Sequence, residues 1–214
     1  MGYDSAYFDE QAAQWDQPDK VARAQRVAEA VVTAVPLRGD ERLLDYGAGT
    51  GLLGRALADR VASITLADAS EGMTRLTQER VATGEITGDV RAVRLDLLTD
   101  PVPHERYDVV VSLQALHHVS DVPAVLRALR ELTVPGGWLA VSDLDREDGS
   151  FHGEGFAGHT GFERAELEAM VREAGFVEVS TSTATTMTKG EPGHEREYPL
   201  FLLVARAPAA PVPA

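Results

Sequence analysis

The sequence predicts an α/β protein: a mostly parallel sheet with helices on both faces. Three observations carry that prediction. Short β-branched and leucine-rich runs alternate with segments of helical periodicity from residue 21 to residue 144; the first of those runs passes directly into Asp45-Tyr46-Gly47-Ala48-Gly49-Thr50-Gly51; and two further β-rich segments close the chain. Strands separated by helix-length crossovers pair in parallel.

The elements follow in order. From 21 to 35, Val21, Ala24, Val27, Ala28, Val31, Val32 and Val35 recur at helical spacing until Pro36 and Gly39 stop the pattern. A strand over 42–47 runs into the glycines, and 52–61 reads as the helix leaving them. Strand 64–68, helix 70–82, strands 90–96 and 107–113, helix 122–132 and strand 138–144 continue the alternation. The helix at 122 has Asp121 as a cap, Pro123 in its first turn, and Val122, Val125, Leu126, Leu129 and Leu132 on one face. The turn 134–137 ends it. A Gly/His-rich stretch over 149–161 precedes a last helix at 163–174, which Gly175 terminates. Segments 176–187 and 198–205, joined by the turn 189–193, are expected to pair antiparallel at an edge.

Composition narrows the function classes. With 20 Lys+Arg against 34 Asp+Glu the net charge is −14, and no basic cluster offsets it, which disfavours nucleic acid and anionic lipid as partners. The absence of cysteine removes disulfides and thiolate chemistry and fits a reducing compartment. No apolar run approaches the ~20 residues of a membrane helix, and the acidic N-terminus lacks the features of a secretory signal. A cytoplasmic location is expected, with one domain over 1–207 and a disordered Pro/Ala-rich tail over 208–214.

Glycines at every second position of the 45–51 motif permit a sharp turn and a close approach of ligand to main chain, with helix-terminal amides beyond them. Gly49-Thr50-Gly51-Leu52-Leu53-Gly54 also satisfies a dinucleotide fingerprint. Asp45 weighs against a pyrophosphate and towards a ligand carrying an ammonium group, unless it only caps the turn. Asp68, closing the second strand, is placed to accept from ribose hydroxyls, unless it is only a solvated strand end.

Taken together, LLDYGAGTGLLGRAL, ITLADASEGM, Asp96-Leu97 after VRAVRL, YDVVVSLQALHHV and VPGGWLAVSD resemble class I S-adenosylmethionine-dependent methyltransferases. The likeness is greatest to the small-molecule group around the quinone-biosynthesis C-methyltransferases, and it extends over nearly the whole chain. The resemblance implies a Rossmann-like, seven-stranded sheet with an antiparallel terminal strand and S-adenosylmethionine as cofactor. It implies that Asp45 and the backbone at Gly47, Gly49 and Gly51 hold the methionine end, and that Asp68 with Ala69 takes the ribose. Met73 would pack on the adenine, Asp96 and the Leu97 amide would bond it, and Leu113 and Gln114 would border the sulfonium. Residues 1–36, with Tyr3, Tyr7, Phe8 and Trp15, would form a lid and first helix.

The acceptor is expected to be a small organic molecule, its reacting atom (O, N, C or S) open. Four histidines fall on segments expected at the rim: His117 and His118 after the fourth strand, and His152 and His159 in the 149–161 loop. Each is a candidate general base, and each has a plainer role as turn packing or solvated loop. Leu113-Gln114-Ala115 lacks the acids of metal-dependent relatives and the motif of base methylases, so no metal and no nucleobase acceptor are expected. Two alternatives remain, a cofactor-binding protein without catalysis and a nicotinamide-dependent oxidoreductase. The oligomeric state is open.

Overall fold

A computed structural model describes residues 8–210 apart from 10, 154, 191 and 192. Tyr3, Tyr7, the middle of the 189–193 turn and residues 211–214 lie outside the described residues. The elements are α1 (Pro18–Ala34), β1 (Arg42–Tyr46), α2 (Leu52–Ala56), β2 (Ser63–Asp68), α3 (Glu71–Ala82), β3 (Val90–Arg94), β4 (Tyr107–Leu113), α4 (Val122–Leu132), β5 (Thr133–Leu144), α5 (Arg164–Glu173), β6 (Val177–Lys189) and β7 (Arg196–Arg206).

Seven strands form one sheet in the order β3-β2-β1-β4-β5-β7-β6. The first five are parallel, and β7 runs antiparallel to both of its neighbours. β7 is therefore an inner strand, and β6 alone is the edge on that side. The pleat sorts side chains between two cores. Along β4, Val109 and Val111 join Val27, Val31 and Leu53 from α1 and α2, while Val110 joins Leu126, Leu129 and Leu167 from α4 and α5.

Several expected boundaries move, each for a local reason. The helix expected over 52–61 divides into α2 and a 3-10 turn, Ala58–Arg60, because the Leu57 amide bonds back to both Leu53 and Gly54 carbonyls and tightens the coil. β3 stops at Arg94, after a last ladder bond from Leu95 N to Asp68 O, because Asp96 caps a turn of its own, accepting from Leu98 N at 3.0 Å. β5 starts at Thr133, absorbing the expected 134–137 turn: Thr133 pairs with Tyr107 across a register shift, and Gly136 takes φ +79°. Pro208, placed in the tail, still accepts from Gly136 N.

The 149–161 loop leaves the end of β5 and is fastened where it returns. Asp145 bridges Phe162 and receives both Arg164 nitrogens, at 2.7 and 2.6 Å. A Cβ at Gly161 would lie 2.2 Å from Asp145 O, so the two backbones touch in a way only glycine permits.

Candidate active site

Strand order reverses between β1 and β4, and a cavity of about 340 Å³ opens there at the carboxyl ends of the strands. That is where open parallel sheets leave room for a ligand, because the connections on either side diverge. Asp45, Gly47, Gly49, Asp68, Met73, Leu113, Gln114, His117, His118 and His152 all line it.

The glycines do different jobs. A Cβ on Gly47 would sit 2.3 Å from Ala115 Cβ, so this residue lets the turns after β1 and β4 pack together. Gly51, at φ +80° and at the start of α2, would collide with Leu66 Cδ1 at 2.6 Å; its lack of a side chain serves packing against β2, and it is not among the lining residues. Gly49, φ +56°, faces the cavity with Trp15 Nε1 and Met73 Sδ beside it.

Two acids set the electrostatics of this end. Asp68 fixes the glycine turn, its Oδ2 accepting from Gly49 N at 2.7 Å and its Oδ1 from Ser70 N at 2.9 Å. Asp45 is only 1% exposed; its Oδ2 accepts from Gly54 N at 2.8 Å, whereas its Oδ1 has no partner among the described residues. Burial, with Asp68 nearby, pushes the Asp45 carboxyl up to about 7. An orphaned, cavity-lining carboxylate oxygen is costly unless a donor arrives from outside the protein. The capping reading of Asp45 is met by Oδ2, and Oδ1 is left open. Ala69 and Asp96 line a smaller neighbouring recess of about 20 Å³ that shares Gly47 and Ala115 with the main cavity. Leu97 is buried beside it, its amide 3.4 Å from the Tyr46 hydroxyl.

The N-terminal segment crosses the cavity mouth and is latched by two acids. Asp16 accepts from Thr50 Oγ1 and pairs with Arg55 and Arg80, while Asp9 accepts from Ser70 Oγ and Gly72 N. Next to the latches in sequence, Phe8 and Trp15 line the cavity, their rings 5.5 Å apart.

At the other end the histidines separate. His117, 2% exposed, lies 2.6 Å through Nδ1 from Asp143 Oδ1; Asp143 also accepts from the amides of His117 and Leu144. An anionic Asp143 holding that proton on Nδ1 leaves Nε2 with the lone pair. Burial first, and then His117, pulls His118 down to about 3; burial, then His117, pulls His152 down to about 4. The three rings offer nitrogens within 4.8 Å of one another, a spacing that one ion could bridge. His159 does not line the cavity: its Nε2 is 2.9 Å from Val119 O and its amide donates to His117 O, so it anchors the loop. At Gln114 the backbone has φ +49°, and strain of that kind is sustained only where surrounding contacts over-determine it.

Asp143 escapes sequence reasoning, although an acid inside the apolar strand 138–144 is a signal. The wall formed by Lys20, Arg23, Phe151, Met187 and Lys189 also escapes it. These residues come from distant segments with no pattern joining them.

Comparison with known proteins agrees with the geometry. Residues 20–181 match a family described as a methyltransferase domain. An uncharacterized methyltransferase of Mycobacterium bovis is 37% identical over 113 residues, 53% of this chain and 55% of that protein. The ubiquinone biosynthesis O-methyltransferase of Bordetella bronchiseptica is 36% identical over 119 residues, 56% of this chain and 48% of that protein. The matches thus span about half the length of these relatives, and the quinone-pathway enzyme is an O- rather than a C-methyltransferase. Among solved structures, Haemonchus contortus phosphoethanolamine N-methyltransferase 2 in complex with S-adenosyl-L-methionine superposes with a TM-score of 0.70 at 15% identity, covering 94% of this chain and 60% of that one, a likeness of fold. With the family match spanning most of its length, the sheet order and the cavity at its reversal point, this chain belongs to the methyltransferase-domain family.

Proposed function

We propose that the chain binds S-adenosylmethionine in the cavity and transfers its methyl group to a small organic acceptor. The observation that carries this is Asp45 Oδ1, a buried carboxylate oxygen without a partner beside the open backbone of Gly47 and Gly49. An amino acid's ammonium group satisfies it; a pyrophosphate would be repelled. This favours the sulfonium cofactor over a nicotinamide dinucleotide. In this reading Asp45, Gly47 and Gly49 hold the methionine end, with Gly51 shaping the turn. Asp68 and Ala69 face the ribose, Met73, Asp96 and Leu97 bound the adenine, and Leu113 and Gln114 border the reacting atoms. When bound, the cofactor supplies an electrophilic methyl group for in-line displacement.

The chain's own residues then position, exclude water and move one proton. Phe8 and Trp15 cover the donor, acting as the lid of a single domain over 1–207. His117, held by Asp143, is the base for an acceptor O–H: its imidazolium would be stabilised by the buried carboxylate, whereas His118 and His152 resist protonation and serve as walls. The likeness to an O-methyltransferase favours oxygen as the acceptor atom. No metal enters this scheme. The acidic surface and the absence, among the described residues, of any helix long and apolar enough to cross a membrane support a cytoplasmic enzyme.

Calorimetric titration with S-adenosylhomocysteine and with NAD tests the reading. Micromolar binding of the first and none of the second is the expected result; the reverse would assign the site to an oxidoreductase. Binding without turnover across a broad acceptor screen with labelled cofactor would leave the non-catalytic alternative.

A further inference from the structure

Lys20 and Lys189 are the only lysines in this acidic sequence, and both line the cavity. They come from opposite ends of the chain, yet a third cation, Arg23, stands with them. None of the three makes an ion pair among the described residues. Arg23 Nε is buried without a hydrogen-bond partner, and Nη1 has only the Met187 thioether, 3.4 Å away. Arg80 and Arg164 show the usual solution in this protein, each closed against an aspartate. A guanidinium left with a sulfur for company is a group waiting for an anion.

The surroundings place these cations at the acceptor end. Arg23 reaches Met187 on β6, two residues before Lys189. Lys189 Nζ donates to Phe151 O at 2.6 Å and lies 4.3 Å above the Phe151 ring. Phe151 touches His152, centroids 4.7 Å apart, and His152 lies 4.9 Å from His117. Lys20 sits on the outer side, 3.2 Å over the Trp15 ring. The acids facing the group are few: Asp19, which is exposed on the same turn of α1, Asp16 near Lys20 but already paired with Arg55 and Arg80, and Asp45 and Asp68 at the glycine end. The wall beside them is formed by Phe151, Met187 and Thr188.

We propose that Arg23 and Lys189, with Lys20 behind them, form an anion subsite. The methyl acceptor is then a small, partly apolar molecule bearing a carboxylate or phosphate remote from the atom that His117 deprotonates. This rests on the methyl-transfer reading for the word acceptor, but the subsite itself is tested without turnover. Positive charge gathered at the far end also orients the molecule, since only one end can reach the cations while the other meets the base.

The test is calorimetric titration of the full chain with benzoate, phenyl phosphate and benzamide, alone and with saturating S-adenosylhomocysteine. The expected result is at least tenfold tighter binding of one or both anions than of neutral benzamide, the tighter anion identifying the headgroup. Lys189→Ala and Arg23→Gln should each remove that preference while changing S-adenosylhomocysteine affinity less than twofold. Lys189 lies at the exposed end of β6, so its variant keeps the test decisive should Arg23→Gln fail to fold. Equal binding of the three probes overturns the proposal. So does a loss of S-adenosylhomocysteine affinity as large as the loss of anion affinity, which would assign the cations to the carboxylate of the donor. Failure of the wild type to bind S-adenosylhomocysteine would refute the methyl-transfer reading, with anion preference measured separately.

Discussion

His117 Nδ1 and Asp143 Oδ1 lie 2.6 Å apart below the cavity, joining the turn after β4 to the end of β5. Asp143 is fully buried and carries two backbone amides besides, so its charge is held by three donors. Asp143→Asn keeps the size of the side chain but can turn an amide donor towards His117, favouring the tautomer with its proton on Nε2. For an O–H acceptor, turnover should fall ~10²- to 10⁴-fold. S-adenosylhomocysteine affinity, measured by calorimetry, should stay within about twofold. His159→Ala, by contrast, should leave the rate per folded molecule near wild type and lower only thermal stability, because its ring serves Val119 O.

Asp45→Asn should separate stability from binding. The carboxyl is pushed up to about 7 when folded and buried, against 3.8 unfolded. The folded state therefore holds the extra proton between those values, and the Asp45 contribution to the stability of the ligand-free protein declines as pH rises from about 4 through about 7, opposite in sign to that of His118 and His152, whose depressed values add stability as pH rises towards 6.5. The asparagine variant should lack that decline and melt a few degrees higher than wild type at pH 8. It should also bind S-adenosylmethionine at least ~10-fold more weakly, having lost the charge opposite the ammonium group. Differential scanning fluorimetry of both proteins across pH, paired with calorimetry, reads both effects; a melting difference between variant and wild type that does not change over this window would remove the buried charge from the account.

Asp68→Ala removes a carboxylate that braces Gly49 N and Ser70 N as well as facing the ribose. Cofactor affinity should drop at least tenfold, corresponding to ~1.5–3 kcal/mol. Unchanged affinity in a folded variant would take Asp68 out of the site.

The glycine turn predicts two different phenotypes. Gly51→Ala forces a Cβ into Leu66 at a positive φ, and should cost ~1–3 kcal/mol of stability, seen as a lower melting temperature. Gly49→Val is also strained, at φ +56°, but meets only ordinary contacts with Trp15 and Met73, so it should lower the melting temperature as well and, unlike Gly51→Ala, abolish cofactor binding in protein whose circular dichroism shows the fold retained.

Chelation should leave the rate unchanged, since the proton-transfer scheme uses no metal. Added zinc, however, should inhibit at micromolar levels by engaging the imidazoles of His117, His118 and His152, whose nitrogens lie within 4.8 Å. A rate that falls on chelation and returns with a divalent ion would replace the base with a metal.

Legibility in the sequence followed the range of the interactions involved. α4 was readable to the residue, because Asp121 caps it through Ala124 N, Pro123 fits its first turn and its apolar stripe is unbroken. The placing of Asp45, Gly47, Gly49, Asp68 and Met73 on one cavity was equally readable, since they lie on two consecutive strand-turn-helix units. The start of β5 was not, because Gly136 reads as a helix stop until Tyr107 is seen pairing with Thr133. His152 and His159 shared one glycine-rich context and could be told apart only by what each ring touches. The cations escaped for the same reason: Arg23 and Lys189 are brought together by β6 lying beside α1, a contact that no local pattern encodes.

The two ends of the cavity have different ancestry within the fold. The glycine end is cut from the sheet itself, so a change at Asp68 or Gly51 disturbs the turn and the packing around it. The opposite wall is assembled from the first turns of α1, a surface loop and the tip of an edge strand, and an exposed member such as Lys189 can change with little effect on the sheet. Under the proposed methyl-transfer reading, variation at that wall can change the acceptor without dismantling the cofactor site.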